Sequence, residues 1–150
     1  MRTYEVVCLA AMCFCLAPLA QIANAQQPAT VRIGGYSLTH NNKNLPNTNA
    51  GEPNDFEYKG GCPATLKFEW SIISTAPTTI KYKIERSDNA QGEVKELKIP
   101  KANVSVYVME TWDLGANNTP EFKDFKGWEN LVIADPHKAD QKLKFTLHCK

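Results

Sequence analysis

Residues able to do chemistry are few in this chain, and they are scattered. His40, His137 and His148 are its only histidines. A serine hydrolase needs an exposed nucleophile on a strained turn such as G-x-S-x-G, and no such turn occurs. No phosphate-binding glycine loop is present. Cys62 and Cys149, with only His148 alongside, do not make a zinc set. Glu52 and Asp55 lie in an Asn-rich stretch, but the D-x-D-x-D-G spacing of a calcium loop is absent. No catalytic residue, metal ligand or cofactor site is therefore expected. A carboxylate pair for glycoside cleavage meets only in space, and Glu69 and Glu85 are the candidates. They are expected on adjacent wet strand faces beside Lys67 and Lys83, where cross-strand ion pairs explain them more simply.

The elements that must position these residues are strands. Leu66, Phe68, Trp70 and Ile72 alternate with Lys67, Glu69 and Ser71. Ile80, Tyr82 and Ile84 alternate with Lys81, Lys83 and Glu85. Strand side chains point to opposite faces with period two, so each run has one apolar and one wet face. A helix would need apolar spacings of three and four, which neither run supplies. Such half-buried strands require a second apolar layer.

The chain opens with Arg2 and an apolar run over residues 6–20, and Ala23 and Ala25 then flank Asn24. This is the pattern of a secretory signal peptide over residues 1–25, cut after Ala25. The run is short for a membrane span of about 20 residues. Cys8, Cys13 and Cys15 lie in this leader, and the residues around them match a lipidation site poorly. Residues 26–150 then form one domain of ordinary size. Arg2 and Glu5 cancel, so its net charge stays at +1, which argues against nucleic-acid binding by phosphate neutralisation. The expected location is secreted or periplasmic. There Cys62 and Cys149 are expected to pair, two buried free thiols being the alternative.

Further strands are expected over residues 31–39, an edge strand weakened or bulged at Gly34 and Gly35, and over residues 93–100. Residues 103–114 read as the longest strand. Val104, Val106, Val108 and Trp112 supply its buried face, and Tyr107 and Met109 lie on the opposite one. Residues 128–134 and 142–149 complete the set. Residues 40–61 and 115–127 read as long surface loops. The turn over residues 87–92 uses Asn89 at a left-handed position, with Arg86 and Asp88 paired across it. The predicted fold is an all-β, immunoglobulin-like antiparallel sandwich of about seven strands.

Together, GGCPATLKFEWSI, TTIKYKIERSDNA, VYVMETWDL, GWENLVIADP and KLKFTLHCK resemble a family of small secreted bacterial domains. The resemblance covers about residues 58–150. It implies an immunoglobulin-like sandwich with a disulfide from its Cys-Pro entry to its terminal strand, and implies no catalytic role.

Tyr107 and Met109 are the candidate partner-binding residues, an apolar pair on the face turned away from the core. Trp112 and Trp128 could stack on a sugar ring, but a sandwich core accounts for both. The expected function is an exported, non-enzymatic module that binds a protein or cell-surface partner through loops or a sheet edge. The alternative is a small carbohydrate-active or hydrolytic enzyme with a spatially assembled carboxylate site. A third possibility is an inhibitor or periplasmic accessory protein presenting a rigid exposed loop over residues 115–127.

Overall fold

The computed structural model describes residues 28–49, 52–115 and 124–150. The expected leader and most of the expected loop over residues 115–127 lie outside them. Ten strands are formed among the described residues, in two facing sheets. They are β1 (Val31–His40), β2 (Lys43–Asn44), β3 (Asn47–Asn49), β4 (Glu52–Gly60), β5 (Ala64–Ser74), β6 (Thr78–Arg86), β7 (Lys95–Ile99), β8 (Val106–Leu114), β9 (Asp124–Asp135) and β10 (Ala139–Cys149).

One sheet runs β2-β1-β5-β8 and the other β3-β4-β10-β9-β6-β7. The first contains the A-B-E order of an immunoglobulin-like sandwich, and the second its G-F-C-C′ order. Strand pairs are antiparallel except β4 with β10, which runs parallel from Asp55↔Lys144 to Gly60↔Cys149. No strand lies between β7 and β8 among the described residues, so the place of a D strand is empty and β8 ends its sheet.

Period-two alternation builds the core. In β5, Leu66, Phe68, Trp70 and Ile72 are buried while their neighbours face out. Leu143, Phe145 and Leu147 of β10 meet them from the opposite sheet. Phe68 and Phe145 pack edge to face at 5.8 Å, and Trp112 and Phe145 at 5.6 Å. The Trp70 indole N–H donates to the Gln141 carbonyl at 3.1 Å, so its one polar atom is satisfied.

Several expectations require correction. Residues 40–61 are not one long loop; they contain β2, β3 and β4. The signal there was short, because Phe56 and Tyr58 alone carry the buried face of β4 among polar neighbours. The backbone is held by the parallel ladder to β10, which no local pattern announces. β1 is flanked by β5 and the two-residue β2, and the expected bulge falls between Ile33 and Gly35. Val104 is exposed and precedes β8. Trp128 is half-buried on the outer face of its sheet, not in the core, because Gly127 and Glu129 take the inward positions beside it. Asn89 does adopt a left-handed conformation, with φ 64°.

Cys62 and Cys149 form a disulfide with Cα atoms 5.5 Å apart. It closes the end of the β4–β10 pair, where the Lys150 N–H also donates to the Gly60 carbonyl at 2.9 Å. Gly115, with φ 73°, lies against this bridge; a Cβ there would stand 3.0 Å from that of Cys62.

Candidate functional site

The side of the sandwich left open by the missing strand concentrates the unusual features. β8 pairs with β5 through nine residues, from Ala64↔Leu114 to Ile72↔Val106, and its other edge has no strand beside it among the described residues. Alternation turns Val108 and Trp112 inward and Tyr107 and Met109 outward. The last two are 53% and 54% exposed, high values for large apolar side chains in a strand. Across the ladder they face Ser71 and Glu69, so nothing bulky covers them. The structure places the two expected residues on one face, two positions apart, at an open edge.

Behind this edge a cleft of about 330 Å³ lies between the two sheets. Ile84, Arg86, Gly92, Glu93, Lys95 and Glu110 line it. The Lys95 ammonium on β7 stands 3.7 Å from the Glu110 carboxylate on β8 and bridges the gap between the sheets. Arg86 closes the inner end. Its guanidinium lies 3.9 Å from the centre of the Trp112 ring and bonds the Asp88 carboxylate at 2.5 Å. The expected Arg86–Asp88 pair is therefore present, and cation–π stacking adds to it.

Glu129 is a residue that no motif in the sequence marks. It sits on β9 between Gly127 and Leu131, pairs in register with Arg86, and is fully buried. Neither carboxylate oxygen has a hydrogen-bond partner among the described residues, and the Arg86 Nε is equally unpartnered. Burial raises the Glu129 pKa to about 8; nearby Arg86 opposes this, and Glu110 and Asp88 add to it. Burial thus favours the protonated acid over the carboxylate at this position. The alternation Gly127, Glu129, Leu131, Ile133 was the available signal, because it puts a glutamate on a core face.

Glu69 and Glu85 do not come together. β5 and β6 belong to different sheets, because the link over residues 75–77 crosses the sandwich, so these carboxylates lie on opposite outer faces. Their ion pairs run along each strand instead of across strands: Lys67–Glu69 at 3.7 Å and Lys83–Glu85 at 2.6 Å.

The histidines are dispersed. His40 ends β1, with Nδ1 3.0 Å from the Thr65 carbonyl, and not in a loop. His137, between β9 and β10, bonds the Ala29 carbonyl through Nε2 at 3.1 Å. His148 stands on the outer face, Nε2 3.2 Å from Glu57 and Nδ1 2.5 Å from Asp124. Lys59, chiefly, and His148 hold the Glu57 carboxyl below its usual range.

No helix among the described residues is long and apolar enough to cross a membrane. No family model matches the chain, and no curated protein matches it. Among solved structures, the crystal structure of the periplasmic chaperone SfaE is similar to 77% of this chain, at 10% identity and a TM-score of 0.43. The match takes in 57% of that chain, so the present sequence spans little more than half its length.

Proposed function

We propose that this chain is an exported, non-enzymatic immunoglobulin-like module that binds an extended segment of a protein or cell-surface partner along β8. The supporting observation is the open nine-residue edge of β8 with Tyr107 and Met109 exposed beside it. A free edge offers unpaired N–H and C=O groups, and an incoming strand satisfies them while its side chains meet the flanking apolar pair. The leader pattern and the disulfide support export to an oxidising compartment. Tyr107→Glu and Met109→Glu add charge at exposed positions and leave the core intact. Affinity capture from the host's envelope and medium should recover a specific protein with the native chain and lose it with either variant. Equal recovery by native and variant chains refutes edge binding.

A second reading, hydrolysis, is supported by Glu93 and Glu110 lining one cleft. A general acid must reach the atom it protonates. Glu129, the carboxyl with the raised pKa, is fully buried and does not line that cleft. Loss of a measured glycosidase activity in Glu110→Gln would favour this reading over edge binding.

A further inference from the structure

The outer face of the other sheet carries a feature the β8 edge does not explain. Trp128 is half-buried at the centre of that face, on β9. Lys126 and Asn130 flank it along the strand, and Lys144 stands opposite on β10, with Lys142 and Thr146 beside that. On the β6 side that strand ends at Arg86, and the next residue, Ser87, donates its N–H to the Trp128 carbonyl while its hydroxyl accepts from the Trp128 N–H. A shallow depression of about 200 Å³ adjoins the ring, lined by Asp55, Lys126, Trp128, Lys144 and Thr146 among others.

The charges around the ring are unevenly matched. Lys144 is paired with Glu52 at 3.0 Å. Lys126 and Lys142 have no carboxylate within ion-pair distance among the described residues. The Lys142 ammonium instead lies over the Trp128 ring, 4.2 Å from its centre. A cation resting on a half-buried ring near the surface is weakly held and moves readily to a stronger anion. Its departure would leave the ring face free for an apolar surface.

We infer that Trp128, Lys126, Lys142, Thr146 and Asp55 form a shallow binding site for an acidic polysaccharide built of uronate rings. The indole offers a flat apolar body for the C–H face of a sugar ring. The Lys126 and Lys142 amines, which have no ion-pair partner among the described residues, meet its carboxylate. The Thr146 hydroxyl and the Asp55 carboxylate accept from its hydroxyl groups. Asp55 favours a ligand that carries hydroxyl donors beside its charge over phosphate, which offers chiefly acceptors. The shallow, open shape suits one ring of a chain lying along the sheet better than an engulfed small molecule. This site is on the sheet opposite β8 and stands independently of partner binding there.

The test titrates the purified protein with a galacturonic acid tetramer, its neutral galactose counterpart and an aspartate tetrapeptide. Tryptophan fluorescence and calorimetry read the binding. The uronate tetramer should quench fluorescence and bind at least about tenfold more tightly than the other two, and the binding should weaken as salt is raised. Trp128→Phe should remove the quenching, Trp128→Ala the binding, and the Lys126→Ala/Lys142→Ala pair should weaken binding about tenfold, or 1.4 kcal/mol. Near-UV circular dichroism checks that each variant is folded. Met109→Glu should bind the tetramer normally, even where partner capture is lost. Absence of uronate binding, equal binding of the galactose or aspartate probe, or undiminished binding in the lysine pair overturns the site.

Discussion

At the residue scale, Glu129 is the position where local chemistry departs most from what a core tolerates. Its carboxyl titrates near 4.5 when free and near 8 in the fold. Between these values the folded chain holds one more proton than the unfolded chain. Stability must therefore fall as pH rises through that window, and this contribution is level below and above it. Glu129→Gln should flatten the fall between about pH 5 and pH 8, a difference on the order of a few kcal/mol, measured by urea unfolding across that range. An unchanged slope would show that the carboxyl is already ionised in the fold. Gly127, two residues earlier on the same inward face, makes the opposite point about size. A Cβ there would come within 2.6 Å of the Phe145 ring and 2.8 Å of Phe125. Gly127→Ala should cost about 1–3 kcal/mol by forcing these rings apart, read from the shift in unfolding midpoint. Neither role is visible to periodicity alone. Alternation places both residues inward, but it cannot say that one finds no partner or that two rings converge on the other.

At the scale of elements, legibility followed the strength of alternation. β5, β6 and β10 were readable because apolar residues recur at every second position through their middles, and β8 because only Glu110 breaks the same repeat. β4 was missed because its hold on the sheet is a parallel ladder to a strand far along the chain. The placement of β5 and β6 in different sheets was also invisible, since both of their faces would read the same within one hairpin. Tyr107 and Met109 were legible as outward-facing, whereas the openness of β8 depends on there being no strand beside it among the described residues. Hydrogen exchange makes that difference measurable. Amides of β8 that point away from β5 should exchange faster than those of β9, which has β6 and β10 on its two sides. Bound partner should slow them. Uniform protection of β8 in the free protein would mean that something already covers the edge.

At the scale of the whole molecule, the disulfide and the parallel pair act at the same corner. Cys62 and Cys149 are 87 residues apart, and closing so long a loop restricts the unfolded chain. Cys62→Ser/Cys149→Ser should lower stability by up to about 4.5 kcal/mol, seen in denaturant midpoints with and without reductant. A double variant as stable as the oxidised protein would show that the ladder between β4 and β10 suffices alone. That ladder also dictates timing. A chain exported from its N-terminal end delivers β4 before β10, so Phe56 and Tyr58 must wait without their neighbour while β1, β5 and β8 can already associate. Such distant pairing is slow to form. A chain halted before β10 would display those two aromatic rings and a bare thiol at Cys62, the marks by which a quality-control protease could tell an unfinished product from a finished one.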